Sequence, residues 1–471
     1  MKTNFTTPFR FRNISNQTLI TNEVGEYKFF DKDVMDRYFT NELSTEEEQL
    51  FADLSIKINE SEDWKLYSLA NKTRKHFSTR KNKIGYIMLI PTLRCNLSCS
   101  YCQVSRAPLN AKGYDWDEEK LLQYEKFIES LDLNHVKVEF QGGEPSLRTD
   151  LLSRIIDITI KHSSSAEFVI CSNIVELTEE FKALIDRDDF FVSTSIDGSI
   201  EVMSANRTED DGTSAQVMQN FDYILNTYGP TKISALPTVT EQQIEKPEEL
   251  INTYLDLGFQ NIFLRPVNYM GFARKQHKEL SHQIDKWNNF YTKAMERILE
   301  INKTQYFEEF YLALLVRSIF SDYVIGHVDY RSPAWFLRDY CVVDFDGLIY
   351  PSDEARMLSR TRQVDLSMGN LERGFDREKA NELSTMAINN IHEDCTHCAY
   401  MPYCGIDVID DMSRYKRFDI PKEDSWFCNR QMFLFDFIFS KIANKERAWL
   451  DLFLRWTIKS SRPISSYEVF R

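Results

Sequence analysis

Three cysteines, Cys95, Cys99 and Cys102, fall within eight residues at the spacing CxxxCxxC. Thiolates so close on one loop can converge on a single metal centre, and an iron–sulfur cluster is ordinarily held by four of them. Three leave one iron of a four-iron cluster without a protein ligand, a place where a small molecule binds and is reduced. A second group, Cys395, Cys398 and Cys404, follows as CxxCx5C, with Cys428 beyond it, ahead of an apolar helix expected over 432–442. Four thiolates can close a metal site with no open position, and zinc is the rival occupant. His392 and His397 flank this group as substitute ligands, although a loop histidine is more often solvated or hydrogen-bonded.

These residues need elements to hold them. An apolar run over 84–90 reads as a buried strand leading into the triad. A strand over 136–140 ends in Gln141-Gly142-Gly143-Glu144-Pro145. Paired glycines let a backbone come close to a ligand. Glu144 stands at a strand's C-terminal end, where α/β barrels place their chemistry. Further strands are expected over 168–173, carrying Asn173 at its end, and 190–198, carrying Ser195 and Asp197. The last two lie over 233–239 and 262–268. Cys171, unpaired on an apolar run, reads as a small core residue. Arg265, at a strand end, either contacts the substrate or braces Glu144 or an aspartate. Strands alternating with helical stretches point to βα units and a parallel sheet. Beyond them, 279–320 has an almost unbroken helical pattern, with Trp287, Phe290, Ala294, Ile298 and Ile301 as a core-facing stripe.

The triad, with Tyr101 in its aromatic place, resembles the signature CxxxCx(aromatic)C of the radical S-adenosylmethionine (radical SAM) superfamily. Gly142-Gly143-Glu144, Asn173, Ser195-Ile196-Asp197-Gly198 and Asn206-Arg207 are similar to its further motifs. The resemblance implies a 4Fe–4S cluster on Cys95, Cys99 and Cys102 whose open iron is chelated by SAM. An electron from the cluster then cleaves SAM to a 5′-deoxyadenosyl radical. It implies SAM contacts from Tyr101, Gly142, Gly143, Glu144, Asn173, Ser195, Asp197 and Arg207, and a partial (β/α)6 TIM-like barrel over 86–275. The later cysteines resemble the SPASM extension of radical SAM peptide maturases, here 341–435, in which Cys395, Cys398, Cys404 and Cys428 would hold an auxiliary 4Fe–4S cluster. The chain departs from that pattern: Val408 and Ser352 stand where a full extension has cysteines, and only Cys341 remains of the other auxiliary set. Two clusters are therefore expected, with Cys341 free or packed.

Tyr350-Pro351-Ser352-Asp353-Glu354-Ala355-Arg356, with the residues around the triad, is similar to the His-Xaa-Ser-system maturases. Asp353, Glu354 and Arg356 form a cavity wall or, by default, an internal salt bridge. At the front, 17–22 and 27–30 read as strands, Asp31 as a helix cap and Ser44 as the start of a second helix. The resemblance makes 1–85 a winged-helix-like module that grips the leader of a precursor peptide, or a packing domain without a ligand. Linker helices occupy 276–340 and C-terminal helices 436–471.

Composition agrees with a globular, multidomain chain of 471 residues, 42% hydrophobic and 27% charged. A net charge of -15 disfavours a nonspecific nucleic-acid surface. The basic stretch 72–83 reads as a solvated linker. No apolar run approaches a membrane span and no secretion signal is apparent, so a cytoplasmic setting is expected, where nine cysteines serve metal or redox chemistry. The expected function is a radical SAM oxidoreductase that installs a C–C, cyclophane-type cross-link in a ribosomally made precursor peptide. An external flavodoxin- or ferredoxin-type reductant is the other expected partner, with no nucleic acid or membrane. Epimerisation, thioether formation and sulfatase-type maturation are the runners-up. A zinc-binding peptide-recognition protein without redox activity is the reading from another class.

Overall fold

The computed structural model describes residues 4–78, 83–208, 210–277, 283–321 and 334–458. The first sheet is antiparallel, with strands β1 (Phe9–Ile14), β2 (Gln17–Asn22) and β3 (Tyr27–Asp31) in that order. Asn22 closes the β2–β3 turn, its Oδ1 accepting from Val24 N at 3.1 Å and Glu26 N at 2.9 Å. Strand β1 has no counterpart in the sequence reading. Asp31 ends β3 and does not cap the helix. The residue before α1 (Val34–Thr40) is Asp33, whose side chain makes no capping bond. Ser44 does cap α2 (Thr45–Asp53), in a reciprocal capping box with Glu47. Of the basic stretch, Lys72 pairs with Glu26 and Lys83 with Asp132, while Arg80 and Lys81 lie outside the described residues.

The main sheet contains β4 (Tyr86–Thr92), β5 (Leu133–Gly142), β6 (Ser163–Cys171), β7 (Phe190–Thr194) and β8 (Ile233–Ala235), mutually parallel and adjacent in that order. Helices α3 (Glu118–Ser130), α4 (Thr149–Lys161), α5 (Glu179–Ile185) and α6 (Asp211–Tyr228) lie between them in the chain. Parallel neighbours require such crossovers. All five C-terminal strand ends therefore meet at one edge.

The strand expected over 233–239 breaks at Leu236-Pro237, because proline has no N–H for the ladder. Beyond it, Thr238–Val239 pairs with Arg265–Pro266, outside the main sheet. The expected helix over 279–320 is two helices, α7 (Ile284–Ile301) and α8 (Phe310–Phe320); positions 279–282 lie outside the described residues. Asn302 makes the break: its Nδ2 donates to Phe307 O at 2.7 Å and its Oδ1 accepts from Phe307 N. All five stripe residues of α7 are buried.

Strand β9 (Tyr340–Val343) returns to the main sheet, parallel to β4, and β10 (Ile349–Tyr350) pairs antiparallel with β9. The expected boundary at 341 thus runs through a strand of the core sheet, and Cys341 is fully buried in it. Ser352 caps α9 (Asp353–Arg360), accepting from Ala355 N, and Arg356 pairs with Asp353 at 2.8 Å inside the core. Val408 opens α10 (Val408–Tyr415) as a buried core residue. Helix α11 (Trp426–Ala443) begins six residues before the expected 432, so Cys428 lies in its first turn; α12 (Arg447–Thr457) packs beside it. The first module docks on the cysteine-rich segment: Thr21 Oγ1 donates to Ala399 O at 2.9 Å, and Tyr27 packs edge-on to Phe439. Among the described residues no helix is long and apolar enough to cross a membrane.

Candidate active site

The C-terminal strand ends open onto a cavity of about 1010 Å³, lined by Cys95, Cys99 and Cys102 among others. The loop bearing them leaves β4 and is pinned by Asp115, which accepts from Thr92 Oγ1 at 2.6 Å and Arg94 Nε at 2.9 Å. Gly142 and Gly143 lie directly beneath. A Cβ on Gly142 would stand 2.2 Å from Thr92 O, and one on Gly143 would stand 2.1 Å from Arg94 O. Gly143 N donates to Thr92 O and Glu144 N to Arg94 O. The glycines therefore permit a close approach of backbone to backbone, and through it fix the cysteine loop, where the sequence reading gave them a ligand to approach.

Glu144 is buried, and its carboxylate accepts from Ser172 Oγ at 2.8 Å, Asn173 N at 2.7 Å and Ser146 N at 3.1 Å. Burial nevertheless pushes its pKa up. Asn173 Nδ2 donates to Asn96 Oδ1, tying the β6 end to the cysteine loop at 2.8 Å. On the other side, Tyr101 Oη donates to Asp197 Oδ2 and accepts from Arg207 Nη1, both at 2.6 Å. Burial pushes the Asp197 carboxyl up, and the Arg207 charge pulls against it. Arg207 is held by a single π-helical turn, Ser204–Thr208. Ser195 lines the cavity, next to Thr194, whose buried Oγ1 has no partner. Of the eight residues expected at SAM, seven line the triad cavity, Tyr101, Gly142, Gly143, Glu144, Asn173, Ser195 and Arg207, and Asp197 reaches it through Tyr101.

Several members were not legible in sequence. Asp115 and Thr194 have no local signal. His277 reaches Ser100 Oγ through Nε2 at 3.2 Å and Glu241 through Nδ1 at 2.7 Å, from far along the chain. Cys171 lines the cavity and is not a core residue; its thiol donates to Glu139 Oε1 at 3.4 Å. Glu139 also accepts from Tyr86 Oη at 2.7 Å. Arg265 lines the cavity, its guanidinium over Phe263.

Cys395, Cys398, Cys404 and Cys428 line a second cavity of about 500 Å³. Burial pushes the Cys395 and Cys428 thiols up to about 12. His397 lines this cavity, whereas His392 is turned to Met386 O. Among the described residues no three His, Cys, Asp or Glu side chains form a group that could hold one metal ion. Both cysteine sets instead surround open volume. A polynuclear cluster fills the space between its ligands, and buried thiols gain from its positive iron, so the donor sets fit iron–sulfur clusters. The orphan Thr194 hydroxyl and the polar strand ends fit a polar ligand beside the triad.

Residues 89–252 match the Radical SAM superfamily. The chain is 28% identical over 179 residues to the GTP 3′,8-cyclase of Nautilia profundicola, covering 36% of this chain and 52% of that one. It is 23% identical over 219 residues to the PqqA peptide cyclase of Bradyrhizobium diazoefficiens, covering 45% and 55%. The chain thus spans about half the length of each. Among solved structures, native anSMEcpe with bound AdoMet has a similar fold, with a TM-score of 0.62 at 19% identity, covering 76% of this chain and 98% of that one. The same protein is also known with AdoMet and the Cp18Cys peptide, at a TM-score of 0.61. The superfamily uses SAM and a 4Fe–4S cluster. Residues 89–252 thus form a radical SAM domain, the domain of a superfamily of enzymes.

Proposed function

We propose that this enzyme modifies a ribosomally made precursor peptide, and that the modification is a C–C cross-link of cyclophane type. The observation that carries the reading is a row of three cavities that adjoin through shared walls. The triad cavity shares Arg265, Asn268 and Glu354 with a smaller cavity of about 120 Å³, which in turn shares Ile406, Asp407 and Phe427 with the four-cysteine cavity. An extended chain suits such a row of cavities better than a compact metabolite. The PqqA peptide cyclase and the anSMEcpe peptide complex are in keeping with it.

Cys95, Cys99 and Cys102 would hold the SAM-binding cluster, and Cys395, Cys398, Cys404 and Cys428 an auxiliary one. SAM held at the first cluster would supply the radical chemistry needed to take a hydrogen atom from a substrate C–H bond. This chain's own residues orient and enclose. Asp197 and Arg207 fix the Tyr101 ring beside the triad, and Glu144 ties together the ends of β5 and β6. Closing a C–C bond removes two hydrogen atoms from the peptide in all. One goes to 5′-deoxyadenosine; the other leaves as a proton and an electron, and the four-cysteine site is where an electron acceptor would be held. A flavodoxin- or ferredoxin-type protein would supply the reducing electron. The module over 1–85 would receive the leader: its sheet ends on β3, which pairs on one side among the described residues, and an extended peptide can add to such an edge.

Co-expression with short peptides encoded beside the gene, followed by mass spectrometry, tests the reading. A loss of two hydrogens mapped to an aromatic-containing motif supports the cross-link. An unchanged mass with inverted Cα configuration replaces it with epimerisation. A colourless, zinc-loaded protein after anaerobic purification sinks the redox reading altogether.

A further inference from the structure

The four-cysteine cavity is walled partly by a distant piece of chain. Phe11 and Arg12 of β1 line it, although nearly four hundred residues separate them from Cys395. Arg12 makes a two-pronged pair with Asp436, both bonds 2.7 Å, and its guanidinium lies over the Tyr400 ring, whose hydroxyl donates to the same carboxylate. Asp436 therefore balances the Arg12 charge.

Arg10, on the same strand, also has a carboxylate partner, Glu23, but bonds the cysteine loop itself. It is buried, 7% exposed. Its Nε donates to Thr396 O at 2.7 Å, inside the Cys395–Cys398 loop, and its Nη2 meets Glu23 at 3.0 Å. Its Nη1 is buried and has no partner. A buried guanidinium N–H without an acceptor costs about 1–3 kcal/mol, so the position is unexplained by packing alone. Thr396, which takes the Arg10 bond, lies between Cys395 and Cys398 in the chain, so the guanidinium is fixed on the loop that carries both sulfurs.

We propose that Arg10 is a positioning residue of the auxiliary centre: the N-terminal module uses it to present a buried N–H and a positive charge to the Cys395–Cys398 loop, and so raises the reduction potential of the cluster held there. The proposal rests on the four cysteines holding an iron–sulfur cluster. The physics is direct. An added electron is an added negative charge in a low-dielectric site, and a nearby cation or an N–H donor to sulfur favours it. The module then acts as more than a leader-binding appendage, because its first strand belongs to the enclosure of the redox centre.

The test uses full-length protein carrying Cys95→Ala, Cys99→Ala and Cys102→Ala, so that only the four-cysteine centre reports. Its midpoint potential is measured by redox titration followed by electron paramagnetic resonance. Arg10→Gln should shift the midpoint to lower potential, and Arg10→Lys, which keeps the charge, should shift it less. Arg154→Gln, on an exposed pair with Glu118, should leave it unchanged. An Arg10→Gln protein with full iron content and an unmoved midpoint overturns the proposal. If Arg10→Gln fails to retain iron, Arg10→Lys against the parent carries the same comparison, and a shift as large as a remote control's refutes it. Zinc, or no metal, in the parent overturns the cluster reading itself, before any midpoint is read, and the proposal with it.

Discussion

Gly143→Ala isolates the contact on which the cysteine loop depends. A methyl group there would lie 2.1 Å from Arg94 O and 2.4 Å from Leu93 O. Both neighbours are backbone, so no side chain can swing away. Reaching even 3.0 Å requires a movement of about 0.9 Å between the β5 end and the loop. Gly143 is not in the left-handed region, so alanine suffers no backbone penalty of its own, and the whole effect is steric. Two backbone hydrogen bonds cross this contact, Gly143 N to Thr92 O at 3.0 Å and Glu144 N to Arg94 O at 2.8 Å. Losing both costs about 2 kcal/mol at roughly 1 kcal/mol each. A displacement approaching 1 Å at a reacting centre costs on the order of 10²-fold in rate. The expected result is a folded protein by circular dichroism whose reductive release of 5′-deoxyadenosine from SAM is about 10²-fold slower. Gly113→Ala is the control: its φ of +79° makes alanine strained, but nothing lies within 4 Å of the added methyl. It should lose about 1 kcal/mol of stability and keep its SAM cleavage. Gly143→Ala with wild-type cleavage would refute the account of why the paired glycines stand there.

Other perturbations separate the remaining parts. Tyr101→Phe leaves Asp197 and Arg207 each short of a partner in a buried site, so thermal unfolding should report a loss of about 2–3 kcal/mol. Cys428→Ala should halve the iron per chain while SAM cleavage persists, whereas Cys95→Ala should abolish cleavage; equal cleavage in both variants would refute the division of labour. Glu309 is fully buried against Tyr291 and two backbone N–H groups, and burial raises its pKa to about 7. The fold favours its neutral form, so its contribution is fully present below the ordinary pKa near 4.5 and is lost as pH rises through 7. The stability of the wild type should therefore fall relative to Glu309→Gln between about pH 4.5 and 7, by on the order of 3 kcal/mol; parallel denaturation curves across that window would exclude it.

The sequence by itself determined the chemistry-bearing groups and the strands beneath them. Cys95, Cys99, Cys102, Glu144, Asn173, Ser195 and Asp197 were legible because each follows a local apolar run at a strand's end, and parallel strands must bring such ends to one edge; Arg207, in a π-helical turn, was legible only through the resemblance. Ser44 and the α7 stripe were legible for the same reason, since capping and 3.6-residue periodicity are local. What only the tertiary structure decided are relations between segments far apart in the chain. It revealed that Gly142 and Gly143 accommodate backbone, that Cys171 faces the cavity, and that His277 reaches the loop after the triad. It also returned β9 to the core sheet and laid β1 against the four-cysteine cavity. Such contacts depend on packing in three dimensions, and no periodicity within one segment encodes which distant surface will cover it.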